Sequence, residues 1–413
     1  MNTGIGQASL VSASHFAERV LGFLCIIILS RSFGSEGIGE FYYFFSLMSL
    51  WIPLMDMSFD KLIMQKWHGS GWEQRRQLFS DLLFLKLALG GSALLMGWTV
   101  DWISRGGAAN PLGVLAAFLA LYIEEFGQLF RSPARALKQV SLEVIVPIVA
   151  KLLTLVCVIF AIPFLSNGWQ AIYLYVIANT IGAVISLRGV SVLVPLVMPS
   201  MNFSRYFEFF KTLFPFTVIS SCMMFSLFVD SVILGRYSIS EVGLYNAAYR
   251  IILVFAGLSQ GVCYTLFPRI AELHAGKQPA LVGQMMSQAL RINGSFFGLL
   301  AIVSYLLSGV CIELLYGAKF SASVLPFKIL TPIILFSPLV DVLGHTIEAV
   351  GQQNRAMIWY ILAAGSNFFL NLLLIPFYGM IAAAWTTVLT ALLLVVGLTW
   401  QAYTLPSLAW SRR

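Results

Sequence analysis

Twelve apolar stretches of bilayer-crossing length fill almost the whole chain, near 12–33, 39–60, 78–99, 112–132, 141–164, 169–195, 211–235, 241–266, 288–312, 324–350, 356–376 and 379–403. Crossing the hydrocarbon takes about 20 mostly apolar residues per helix. Lipid offers no partner for backbone N–H and C=O groups, so a run of this length must satisfy them as a helix. The 413 residues are 59% hydrophobic and 10% charged, against about 45–50% and 25% in soluble domains. The expected class is an all-α integral membrane protein of about twelve transmembrane helices, with no room for a soluble domain.

The first stretch has no basic segment before it and is too long for the apolar core of a signal peptide. Ser12-Ala13-Ser14 precedes it rather than follows it. It reads as an uncleaved first span. With that span leaving the cytoplasm, fifteen Lys and Arg residues fall in the cytoplasmic connections and tail, among them Lys61, Arg75, Arg135, Lys138, Arg205, Arg412 and Arg413. Four fall outside: Arg31, Arg105, Arg236 and Lys319. Positive charge is retained on the cytoplasmic side, which puts both termini there. The net charge of +7 is thereby assigned to topology, and nucleic acid is not an expected partner. Cys25, Cys157, Cys222, Cys263 and Cys311 lie in or beside apolar spans without metal-ligand spacing. No metal and no cofactor are expected.

The longest polar connection in the middle of the chain runs from Met198 to Lys211 and separates six spans from six. The expected organisation is two pseudo-symmetric lobes, 1–200 with helices 1–6 and 201–413 with helices 7–12. Short connections such as Ser166-Asn167-Gly168 and Tyr378-Gly379 join antiparallel neighbours. Pro53, Pro147, Pro215, Pro332 and Pro338 lie inside spans, where each removes a backbone hydrogen bond and favours a kink. A helix–turn–helix occurs at Asp230–Gly235 and Glu241–Arg250, with a fainter echo from Arg31 to Tyr42. Duplicated helical halves in a bilayer suit alternating access, because two packed halves can rock about a site held between them.

These same residues resemble the polysaccharide transporter branch of the MOP flippase superfamily. The turn Phe33-Gly34-Ser35-Glu36-Gly37-Ile38-Gly39 is similar to that family's first hairpin, with Ser35 in place of the usual Pro. Asp230-Ser231-Val232-Ile233-Leu234-Gly235 and Val242-Gly243-Leu244-Tyr245-Asn246-Ala247-Ala248-Tyr249-Arg250 resemble its helices seven and eight. Leu315-Tyr316-Gly317 and the run from Asn371 to Ala384 extend the likeness over nearly the whole chain. The resemblance implies a flippase that carries an undecaprenyl-diphosphate-linked oligosaccharide, such as an O-antigen repeat unit, from the cytoplasmic to the outer leaflet of a bacterial inner membrane. It further implies a monomer among membrane lipid, with a polysaccharide polymerase and a chain-length regulator as candidate partners.

Charges inside the spans are the candidate site. At about 1.5 Å rise per residue, Arg19 lies roughly 10 Å into the first span and Arg250 roughly 13 Å into the eighth. Lys86 and Lys151 reach similar depth, and Glu18, Glu124, Glu125 and Asp341 are acidic counterparts. A charge at mid-bilayer costs about 2.5–3.5 kcal/mol on insertion scales. One account is that Arg19, Arg250, Lys86 and Lys151 face a wet cleft and bind diphosphate and anionic sugars, for which the planar guanidinium is suited. The other is internal neutralisation, Arg250 by Asp230, and Lys151 or Arg19 by Glu124 or Glu125. Glu124, Glu125 and Asp341 are also candidate ion-coupling residues. That role would fit a rival function, a cation-coupled multidrug antiporter of the same superfamily.

A headgroup with about two negative charges moving out of an inside-negative cell gains roughly 4.6 kcal/mol per 100 mV. No phosphate-binding Gly-x-x-x-x-Gly-Lys-Ser/Thr loop occurs, so the potential is the candidate drive. An enzyme is not expected: a glycan polymerase would carry a sizeable outer loop, and His15, His68, His274 and His345 are isolated in sequence.

Overall fold

The computed structural model describes residues 2–67, 71–107, 110–137, 140–191, 197–405 and 408. His68, Lys138, Arg412 and Arg413, and the side chains of His15 and Cys263, lie outside the described residues. Every regular element among the described residues is helical. In order they are α1 (Asn2–Ser49), α2 (Ile52–Asp56), α3 (Phe59–Trp67), α4 (Trp72–Ser104), α5 (Pro111–Ala136), α6 (Val140–Ala161) and α7 (Ile172–Ser191). There follow α8 (Phe203–Gly235), α9 (Ile239–Ala256), α10 (Gln260–Ala275), α11 (Pro279–Leu306), α12 (Ser308–Tyr316), α13 (Val324–Leu330), α14 (Pro332–Ala349) and α15 (Gln353–Thr404).

Two of these helices are folded hairpins. Gly34 in α1 has φ 69° and ψ −170°, and Gly379 in α15 has φ 53° and ψ −136°. Positive φ at these two turns is what a residue without Cβ supplies at no steric expense. Nine helices among the described residues are long and apolar enough to cross a membrane. Dividing α15 at Gly379 and adding the two arms of α1 accounts for the twelve expected spans. Multi-pass insertion follows from the same helices.

Prolines act in two ways. Pro147, Pro215 and Pro338 lie inside α6, α8 and α14. Pro53 and Pro332 instead stand in the first turn of α2 and α14, where the missing N–H would have had no partner. Cys25 is buried and free, and Cys157, Cys222 and Cys311 are partly buried and free.

Two compact units are present. One comprises Val20–Phe33 and Glu40–Val232, and is called here the amino-terminal unit. The other, the carboxy-terminal unit, comprises Met1–Arg19, Gly34–Gly39 and Ile233–Arg413. In the amino-terminal unit α5 packs along α7, and α4 packs on α2 and α5. Phe59, Leu62, Trp67, Phe79 and Phe209 are sealed in its core. The polar connection into α8 is fastened to α4 by fully buried Asp81. That carboxylate accepts from the Ser200 N–H at 2.6 Å and pairs with Arg205 at 3.2 Å.

In the carboxy-terminal unit α14 packs against α9, α10, α11 and α15. Here the two turns that echo each other in sequence also touch. Ser35 Oγ and Ser240 Oγ are 2.8 Å apart. A Cβ on Gly39 would strike the carbonyl of Ile239, and one on Gly243 would strike the carbonyl of Ser35. The contact is reciprocal: each glycine faces the carbonyl of the residue four positions before the other glycine.

Candidate functional site

The expected site residues fall into two clusters, one in each unit, and both sit where a helix breaks. In the amino-terminal unit α2 ends at Asp56. Met57 and Ser58 then take left-handed φ values of 47° and 56°, a conformation that strains residues with a Cβ. The break aims Asp56 at Lys86 of α4, 2.8 Å from Oδ1 to Nζ. Glu125 of α5 closes on the same ammonium at 3.5 Å. The Lys86 side chain has no exposed surface. Beside it, Glu124 meets Lys151 of α6 at 3.7 Å and accepts from Asn179 of α7 at 3.2 Å. Lys151 also stands over the Tyr175 ring, 5.7 Å from its centroid.

This cluster answers the insertion penalty by pairing. A buried ammonium between two carboxylates is stabilised by coulombic attraction and two charge-assisted contacts, while removal of any member strands a charge in low dielectric. Lys86 is enclosed by protein groups, and Lys151 is 15% exposed and carboxylate-paired. The sequence offered Glu124 as one of two partners for Lys151, and the structure pairs them; it did not pair Lys86 with any carboxylate, and Asp56 was missed. The signal for Asp56 was present: an acidic residue inside the second span, three positions after Pro53.

The second cluster belongs to the carboxy-terminal unit. Between α9 and α10 the chain tightens into one 3-10 turn, Gly257–Ser259. The Arg19 guanidinium of α1 lies so close to Gly257 that a Cβ there would overlap it. Ser259 Oγ donates to Oδ2 of Asp341 on α14 at 2.6 Å. Arg19 and His345 lie within electrostatic range of Asp341. His345 Nδ1 is 3.6 Å from Glu348 Oε2, so Asp341, His345 and Glu348 lie one turn apart along a single helix face. Tyr360 of α15 approaches Gly344 of α14 through its hydroxyl. Arg250 lies on α9 about two turns before the break.

Arg19, Arg250 and Asp341 are all partly exposed, in contrast to Lys86. The unit brings Arg19 and Asp341 together, and leaves Lys86, Lys151, Glu124 and Glu125 in the other unit. Sequence reasoning missed Gly257 and Ser259, although Gly257-Leu258-Ser259-Gln260-Gly261 interrupts an otherwise apolar span. Within the carboxy-terminal unit Arg19 lies within electrostatic range of Asp341, a pairing that the sequence reading did not name. No group of three His, Cys, Asp or Glu side chains able to hold a metal occurs among the described residues.

A family model described as polysaccharide biosynthesis protein matches residues 7–274, and the MatE model matches residues 215–373. A relative from Haloferax volcanii, the probable low-salt glycan biosynthesis flippase Agl15, is 24% identical over 90% of this chain and 77% of its own length. The probable flippase AglR of the same organism is 28% identical over 39% of this chain and 35% of its own. Among solved structures, the lipid II flippase MurJ in an inward closed conformation superposes with a TM-score of 0.77 at 14% identity, covering 96% of this chain and 88% of that one. An inward-facing multidrug resistance MATE family transporter gives 0.72 at 13% identity over 92% and 93%. At these identities the structural likeness speaks for the fold.

Proposed function

We propose that this chain, which belongs to the polysaccharide biosynthesis protein family of the MOP superfamily, is a flippase for a lipid-linked oligosaccharide. In this reading it moves an undecaprenyl-diphosphate-linked repeat unit from the cytoplasmic to the outer leaflet of a bacterial inner membrane. Both termini are cytoplasmic, and the two six-helix lobes, 1–200 and 201–413, alternate access. The observation that carries the reading beyond family membership is the guanidinium of Arg19, partly exposed at a broken membrane helix. Unwound segments of transmembrane helices are where transporters hold polar cargo, and a planar guanidinium suits phosphate. Arg250, on the helix that leads into the break, is the second anion ligand.

Lys86 and Lys151 enter as members of a neutralised network that shapes the amino-terminal unit, with their contact to substrate indirect. The drive is the membrane potential acting on the headgroup, at about 2.3 kcal/mol per charge per 100 mV. Polysaccharide polymerase and chain-length regulator remain the proposed partners of a monomer.

The test replaces the gene in its host with Arg19→Ala, Arg250→Ala and Arg250→Lys, reading surface glycan and the leaflet distribution of lipid-linked intermediates. Both alanine variants are expected to strand complete repeat units on the cytoplasmic side while inserting normally, with the lysine variant keeping part of the export. Full export from both alanine variants would remove the headgroup role. Unchanged glycan on gene deletion, with dye efflux lost, would establish the multidrug antiporter instead.

A further inference from the structure

We propose that Ser259 and Asp341 are positioning residues: their hydrogen bond fixes the tight winding of the break between α9 and α10, and that winding sets the place of the Arg19 guanidinium. This rests on the headgroup reading of Arg19 and deepens it. It asks of Asp341 a fixed acceptor rather than a change of charge.

Ser259 closes the 3-10 turn Gly257–Ser259 and stands at the N-cap position of α10. A serine there ordinarily accepts from a first-turn N–H of its own helix, yet its side chain makes no such bond. The hydroxyl, on a fully buried residue, donates instead to Oδ2 of Asp341 on α14 at 2.6 Å, a length typical of a charged acceptor. Hydroxyls on other long helices bond within their own helix. Ser221 donates to the Thr217 carbonyl and Ser287 to the Gly283 carbonyl, each at 2.7 Å. Ser259 therefore ties two helices together where a local bond would have satisfied it.

The tie reaches a well-packed base. Helix α14 packs against α9, α10 and the turn itself, and Gly344, one turn beyond Asp341, admits the Tyr360 hydroxyl of α15. In a 3-10 turn each residue advances about 120° and about 2.0 Å, against about 100° and about 1.5 Å in an α-helix. Rewinding the three residues as α-helix would rotate α10 against α9 by about 60° and shorten the segment by about 1.5 Å. A Cβ on Gly257 would fall on the Arg19 guanidinium, so the bare face of that glycine is one wall of the space the guanidinium fills. A wall that shifts this far takes the cation with it, and a displacement of about 1 Å is enough to spoil a positioned contact.

The test titrates full-length protein in lipid nanodiscs with farnesyl diphosphate and reads both the dissociation constant and the number of sites. Ser259→Ala and Asp341→Ala each remove the bond, and each is expected to weaken binding about tenfold or more, the lower end for losing a charge-assisted hydrogen bond. Asp341→Asn keeps an acceptor oxygen without the charge and is expected to recover most of that affinity. Combining Ser259→Ala with Asp341→Ala should weaken binding no further than Asp341→Ala alone, since both remove one bond. The number of sites should hold throughout, because a merely structural defect lowers the competent fraction and leaves the constant of the remainder unchanged. Ser259→Ala carries the comparison if Asp341→Ala fails to insert. Asp341→Asn as weak as the alanine variants would make charge the working feature and overturn this inference. Ser259→Ala that binds like wild type, or that loses sites at an unchanged constant, overturns it too. In each of these cases an Arg19→Ala protein that binds weakly leaves the headgroup reading standing. Wild type that fails to bind the probe, or Arg19→Ala that binds as tightly as wild type, overturns both.

Discussion

Lys86 and Arg19 are cations at comparable depth in the chain's apolar spans, yet their surroundings differ. Lys86 is sealed between Asp56 and Glu125, with no exposed surface. Arg19 lies partly exposed against Gly257, where one carboxylate, Asp341, is itself held by Ser259. Both clusters use a helix break to admit a polar group, but the breaks differ in kind. At Met57 and Ser58 the backbone is left-handed and the carboxylate beside it is committed to an ammonium. At Gly257–Ser259 a missing Cβ makes room for a guanidinium. Depth and charge alone therefore do not mark a binding residue. What separates the two is enclosure: the Lys86 ammonium has no exposed surface through which to reach a ligand, whereas Arg19 keeps some.

The comparison breaks most readily at Lys86. Lys86→Ala strands Asp56 and Glu125 together, and the expected loss is about 3–5 kcal/mol, the range for removing one partner of a buried pair. Thermal unfolding of the detergent-solubilised protein reads it. Adding Asp56→Asn and Glu125→Gln should restore most of the stability, since no uncompensated charge then remains. A Lys86→Ala protein that melts like wild type but fails to export would place Lys86 with Arg19 as a working cation.

Gly257→Ala probes the other side with a smaller effect on stability. The new Cβ meets the far end of a flexible side chain rather than backbone, so the expected stability change is under about 1 kcal/mol. Export should nevertheless fall sharply, because the guanidinium must leave its place and a displacement of about 1 Å is enough to spoil a positioned contact. Leaflet-resolved glycan analysis beside a melting curve separates these two readouts. Equal export in Gly257→Ala and wild type would mean that the position of Arg19 against the break is incidental.

The smallest effect belongs to Lys151. Its contact to Glu124 is 3.7 Å with side chains 15% and 31% exposed, and interhelical polar contacts in membranes average about 0.6 kcal/mol. Lys151→Met is expected to cost about that amount in melting experiments and to leave export near wild type. A loss of export without a loss of stability would move Lys151 from the neutralised group to the anion-binding one.

Much of the architecture was legible in the residues. Apolar run length sets the spans, since hydrocarbon leaves a helix no alternative. The turn glycines Gly34 and Gly379 stand within or beside the motifs that marked the outer connections. Pro53 and Pro332 were harder to read, because a proline removes the same N–H whether it kinks a helix or begins one, and the difference depends on where the preceding segment stops. The reciprocal approach of Gly39 and Gly243 was hinted at by the echo of the two turns, but an echo does not state that its copies touch.

The candidate site was legible as a set of residues and not as a set of partnerships. The chain alone determined that Arg19, Arg250, Lys86 and Lys151 are placed in apolar spans, and that Glu124, Glu125 and Asp341 are available to meet them. That follows from hydropathy, which is local and can be read position by position. Tertiary structure alone decided that Lys86 meets Asp56 as well as Glu125, that Lys151 meets Glu124, and that Arg19 and Asp341 share a break in a helix far along the chain. Charge pairing in a low-dielectric interior depends on separations of a few ångströms, and those are fixed by how helices distant in sequence pack against one another.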